Sequence, residues 1–135
     1  MSPDMPGCVL RAAGGTFDVD AFLKSSPFRP AVVYRKGQRR RPASRGTLTT
    51  SGFNLVVSDS DDPLEIQVEY ALTFLRDKYG ELRRLVRFGG LEEIVLDFGV
   101  PQGDIAARSA RFPSQLLVAA GALGIDVQVS FYLVG

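Results

Sequence analysis

The residues with the clearest capacity for chemistry are cationic. Between positions 29 and 45 the chain carries Arg29, Arg35, Lys36, Arg39, Arg40, Arg41 and Arg45 and no acid. Guanidinium and ammonium groups grouped with glycine and proline can track phosphates or meet an acidic protein surface. Two aromatic residues, Phe28 and Tyr34, lie close enough to anchor such a contact, although Tyr34 also fits a core-facing strand position. The plainer reading is a solvated loop whose charge is balanced by Asp59, Asp61, Asp62, Glu65 and Glu69, a stretch without a base. The overall charge of +1 is thus unevenly placed, which bears on partners and not on fold.

Carboxylates form the second group. The segment DSDDPLE lacks the central glycine and late glutamate of a calcium loop, and Asp62 with Glu65 reads as a helix capping box. Glu93 and Asp97 share strand parity, so they can occupy one sheet face with a base opposite. General acid–base work there would need one carboxyl of raised pKa, and a solvated face is the plainer reading. An enzyme reading would have to use Asp97, Glu93, Tyr132 or an arginine, because the chain has no histidine. That absence removes the usual general base, the commonest transition-metal ligand and the Ser-His-Asp triad. Cys8, the only cysteine, leaves no internal disulfide and fits a reducing cytoplasm; placed near a loose end, it reads as incidental. Ser114 begins a helix and reads as its cap. No phosphate-loop or dinucleotide fingerprint is present, and no cofactor or metal is expected.

These residues must be positioned by a mixed set of elements. The strongest pattern spans Asp62 to Arg87. Asp62 suits an N-cap and Pro63 the first helical position. Leu64, Val68, Ala71, Leu72, Leu75 and Tyr79 recur at helical spacing, and Ile66, Tyr70 and Phe74 form a second apolar stripe that needs a cover, from within the chain or from a partner. The spacing predicts a helix over 63–79 and a shorter one over 80–87, divided at Gly80. Before it, a strand from Cys8 to Arg11 or Ala12, a helix over 18–24 capped by Asp18 with Phe17 and Phe22 as a staple, and a strand over 31–34 are expected. Residues 35–46 read as a basic loop, and Phe53, Leu55 and Val57 as the buried side of a strand. Beyond the long helix, Ile94, Leu96 and Phe98 mark a strand. Leu116, Leu117, Ala120 and Leu123 mark the inner face of a helix, closed near Gly124. Ile125, Val127, Val129, Phe131 and Leu133 alternate as the clearest strand of all.

The order, roughly β-α-β-β-α-β-α-β, predicts an α+β two-layer sandwich, a mostly antiparallel sheet with one long and two or three short helices. A chain of 135 residues fits a single domain over 8–135 behind a loose tail at 1–7. Its apolar runs are too short to span a bilayer, and MSPDMPGCVL does not read as a signal peptide, so a cytoplasmic protein without membrane contact is expected.

The first strand followed by FDVDAFL, the segment PAVVYRKG, the glycine and strand before the long helix, and the closing ALGIDVQVSFY together resemble bacterial domain-of-unknown-function family 4279, over most of residues 8–133. The resemblance implies a small cytoplasmic α+β domain without an established activity. It also suits an immunity-type protein that occludes a toxin. Taken together, the expectation is a non-enzymatic protein-binding domain, immunity-type or regulatory. It would meet an acidic partner through Arg35, Lys36, Arg39, Arg40, Arg41 and Arg45 with Phe28 or Tyr34 as anchor. The alternatives are polyanion or nucleic-acid binding through the same loop, and an enzyme with a histidine-free carboxylate and tyrosine site. A homodimer through Ile66, Tyr70 and Phe74 or a sheet edge also stands open.

Overall fold

A computed structural model describes residues 7–40, 45–101 and 109–132. The elements run β1 (Cys8–Gly14), α1 (Val19–Lys24), β2 (Val32–Tyr34), β3 (Ser51–Val56), α2 (Leu64–Asp77), α3 (Tyr79–Val86), β4 (Glu93–Pro101), α4 (Ser114–Leu123) and β5 (Asp126–Tyr132). The strands form one sheet in the order β2-β3-β1-β4-β5. All neighbours are antiparallel except β4 and β5, which the intervening α4 makes parallel. This is the two-layer α+β arrangement that the periodicities predict. No helix among the described residues is long and apolar enough to cross a membrane.

Strand parity separates two unlike faces. Cys8, Leu10 and Ala12 of β1, Phe53 and Leu55 of β3, and Ile94, Leu96 and Phe98 of β4 enter one core with residues of all four helices. Cys8 is therefore a buried residue of the central strand and not part of a loose end. Burial pushes its thiol pKa far above the usual range, with the Asp97 carboxylate adding to the shift, which leaves it inert as a nucleophile.

The helix α1 starts where expected: the Asp18 carboxylate accepts from the Ala21 amide at 3.0 Å, and Phe17 packs on Phe22. Four phenylalanines surround Phe22, with Phe88 edge-on at 5.4 Å and Phe53 stacked at 5.9 Å. Arg84 of α3 lies 4.1 Å above the same ring, donates to the Phe22 carbonyl and is held by Glu81. Its aliphatic and planar parts thus seal α3 onto α1.

Several local expectations shift. The break between α2 and α3 falls at Lys78, while Gly80 lies inside α3. Pro63 and Pro113, with φ near −65° and extended ψ, are the N-caps of α2 and α4, so neither Asp62 nor Ser114 caps its helix with a side chain. The Asp62 carboxylate instead accepts from the Asp59 amide, closing the preceding turn. Tyr79 and Leu117 face solvent, not the core. At the end of α4, Gly124 adopts φ 79°, the left-handed conformation that terminates a helix at low cost only for glycine.

Candidate functional site

Two regions gather polar side chains, at opposite levels of order from those the sequence suggests. The first is the basic segment. It is a paired ribbon and not an open loop. After a turn in which Gln38 N donates to the Arg35 carbonyl, residues 37–40 run antiparallel to 46–48. Gly37 N donates to Leu48 O (2.9 Å), Leu48 N to Gln38 O (2.8 Å) and Arg40 N to Gly46 O (2.9 Å), with Arg39 bridged to Thr47. Lys36, Arg39, Arg40 and Arg45 are exposed on this ribbon. Arg40 Nε donates to the Thr47 carbonyl across it, which stiffens one guanidinium stem. Arg41 lies outside the described residues.

Arg35 has a different task. Its Nε and Nη2 form a two-pronged pair with Asp20 of α1 at 2.8 and 2.7 Å. These hydrogen bonds hold the Asp20 carboxyl below its ordinary range and raise the Arg35 pKa. The pair ties the root of the ribbon to the body and takes Arg35 out of the charges free to meet a partner.

The second region is the sheet face opposite the core. Register places Asn54 beside Arg11, Val9 beside Asp97 and Gly99 beside Ser130. Arg11 Nε donates to Asp97 Oδ2 at 3.0 Å, and Ser130 Oγ donates to Asp97 Oδ1 at 2.7 Å. The Asn54 amide, oriented with its oxygen toward Arg11, accepts from Nη1 at 3.0 Å. One polar chain thus crosses β3, β1, β4 and β5. Asp97 is only 5% exposed and both its oxygens are engaged, so its surroundings are not those of a solvated carboxylate. That geometry serves as an anchor between strands; a general base would need an oxygen turned to substrate.

Beside this chain a cleft of about 320 Å³ is lined by Arg11, Ala13, Gly14, Tyr34, Thr50, Glu92 and Glu93. Tyr34 leans over Gly52: a Cβ there would lie 2.6 Å from the phenol oxygen. Burial raises the Tyr34 pKa, Thr50 hydrogen-bonds the phenol and opposes the rise, and Glu93 adds to it. The phenol therefore stays protonated and can donate a hydrogen bond. The Gly15 amide donates to Glu92, which fixes the rim. Glu93 and Asp97 do share a face, with Arg11 between them in register, but Tyr132 lies at the far end of β5 beside Pro101. Glu93, Asp97 and Tyr132 are thus not assembled into one centre. Among the described residues no three His, Cys, Asp or Glu side chains converge as a metal site requires.

Of the aromatic candidates, Phe28 is buried in the core against Phe22, Phe53 and Phe74, so it cannot anchor a partner. Phe74 is half-buried for the same reason, and Ile66 is half-buried as well. Only Tyr70 of that second stripe is largely exposed. Within this stripe the chain's own core covers Phe74, and Tyr70 is left open. Comparison with family models, curated proteins and solved structures gives no match, so the resemblance to family 4279 stands on its residues alone.

Proposed function

We propose that this chain is a binding module that occludes an acidic protein partner through the basic ribbon. The single observation behind this reading is that Arg39 and Arg40 sit on a hydrogen-bonded ribbon whose base is fastened to α1 by Arg35 and Asp20. A pre-ordered ribbon loses little conformational entropy on docking, so its charges act with more effect than those of a free loop. Lys36, Arg39, Arg40 and Arg45 meet the acidic surface, and Arg41 continues the same basic run. An immunity-type role, which the family resemblance suits, or a regulatory one fits such an occluding contact. Nucleic acid is the second reading, because a two-stranded ribbon is an element that a major groove admits. It ranks lower because the neighbouring aromatics are occupied: Phe28 is in the core and Tyr34 lies over Gly52, leaving no stacking platform for bases.

The test compares wild type with an R39E/R40E/R45E variant as baits in native lysate, with and without nuclease. A partner retained by wild type after nuclease, lost by the variant and weakened by salt supports the protein reading. Retention that nuclease abolishes and that falls steeply with salt transfers the role to nucleic acid. Equal recovery by both baits removes the ribbon from binding.

A further inference from the structure

We infer that the β5 edge and the outer face of α4 form a two-fold interface with a second copy of this chain. Three features of one edge lead there. β5 ends the sheet, so one side of its backbone has no strand to pair with. Among the described residues nothing pairs with that outer side, and the seven residues Asp126–Tyr132 contain no lysine or proline, with Asp126 their only charge. α4, which contacts β5, has no charged residue anywhere in Ser114–Leu123. A helix apolar on all sides ordinarily lies inside a protein, yet Val118 is 70% and Leu117 47% exposed, and Phe131 of β5 is 56% exposed. Gln115 and Ala122 line hollows against α2 and α3 respectively. At about 100° per residue, Leu117 therefore lies on the opposite flank of α4, away from those helices.

A second copy matches this edge in charge and in shape. Antiparallel pairing of β5 with its twin, centred on Val129, places Val127 opposite Phe131 and Gln128 opposite Ser130. Asp126 then faces Tyr132 and not its own copy, so the one charge on the strand meets no like charge. A two-fold axis normal to the sheet leaves both helix layers on one side, which turns the Leu117 flanks of the two α4 helices toward each other. The strand and the outward half of α4 supply about a dozen residues per protomer, fewer than the roughly 20–30 of a standard interface, so a weak, concentration-dependent dimer is the expected form. The other sheet edge offers no such match, since β2 is three residues long and leads into the basic ribbon.

Sedimentation velocity on the full chain over a concentration series tests the interface, with L117E and V129C as probes. The mass should rise from 14.7 kDa toward about 29 kDa, twice the monomer. L117E, at a position 47% exposed and outside the core cluster, should weaken association at least about tenfold, with an unchanged circular-dichroism melt. Mild oxidation should link V129C into a disulfide dimer, because residues facing themselves across an antiparallel pair bring their Cβ atoms to roughly 5 Å. V32C on the other edge should stay unlinked, and Cys8 is buried and so silent. A monomer at every concentration overturns the inference. So does a dimer indifferent to L117E, or one in which V129C fails to link.

Discussion

Removing the carboxylate of Asp97 probes whether the open sheet face is held by its polar chain. In D97A, Arg11 and Ser130 each lose a charge-assisted hydrogen bond, of 3.0 and 2.7 Å. Such bonds contribute about 1.5–3 kcal/mol each when well shielded. The Arg11 side chain is 40% exposed and can turn to water, so its loss belongs at or below the low end of that range. The sum is about 2–4 kcal/mol. For 135 residues the unfolding entropy is on the order of 0.28 kcal/mol/K, so Tm should fall by about 7–14 °C. D97N keeps the shape and a neutral acceptor and should cost about 1–1.5 kcal/mol. S130A should add almost nothing on top of D97A, because its bond is already gone, whereas in wild type it should cost about 1 kcal/mol. Urea and thermal unfolding followed by circular dichroism measure all four, and an unchanged m-value would show that the denatured state is unaffected. A D97A protein within 0.5 kcal/mol of wild type, or strict additivity with S130A, would refute the anchor role.

Two further outcomes follow from local geometry. G52A should destabilise by about 1–3 kcal/mol and displace Tyr34, because the new Cβ would lie 2.2 Å from the Ala12 carbonyl and 2.6 Å from the phenol oxygen; a blue-shifted, more solvent-accessible tyrosine absorbance together with the lowered Tm checks it. Acid titration should expose the Glu81–Arg84 pair. The hydrogen bond from Arg84 holds the Glu81 carboxyl below its ordinary 4.5, so the pair's contribution is complete above that value and disappears as pH falls through the lowered one. E81Q should therefore lose less stability than wild type on going from pH 5 to pH 3, and parallel acid curves for the two proteins would contradict the coupling.

Much of the layer structure is legible in the sequence because one-sided burial imposes a period. The alternation in Ile94, Leu96 and Phe98 and the spacing of Val68, Ala71 and Leu75 report the core directly. The polar chain is only half legible. Parity puts Glu93 and Asp97 on one face with a base opposite, but which base depends on strand order, and Arg11 is 86 residues away from Asp97. Phe28 misleads for a related reason. It follows Ser25, Ser26 and Pro27 and looks like a loop residue, and only the convergence of Phe22, Phe53 and Phe74 reveals its burial. Gln67 gives no sequence signal at all. Buried within an amphipathic stripe, it donates to the carbonyls of Asp62 and Gly99 and fastens the start of α2 to β4. The ribbon is masked by its composition: arginine, glycine and proline read as a loop, while the pairing of 37–40 with 46–48 depends on a hairpin that continues the β2–β3 connection.

The two edges of the sheet solve the problem of unpaired backbone in different ways, and the difference has a consequence for binding. The β2 edge is short and runs into a charged ribbon, which discourages another strand from adding there. The β5 edge carries no such device and is flanked by apolar side chains. If two copies join through β5, the ribbons lie at opposite ends of a sheet of ten strands, twice the five of one chain. At about 4.8 Å per strand the nine intervals separate them by about 43 Å. Paired ribbons at that spacing favour a partner with two acidic surfaces, since the second contact forms at the high effective concentration set by the first. A partner with one acidic surface gains nothing from the pairing, and its capture should be the same for L117E as for wild type. The response of ribbon-dependent binding to the loss of the β5 contact therefore reports the valence of the partner, independently of its identity.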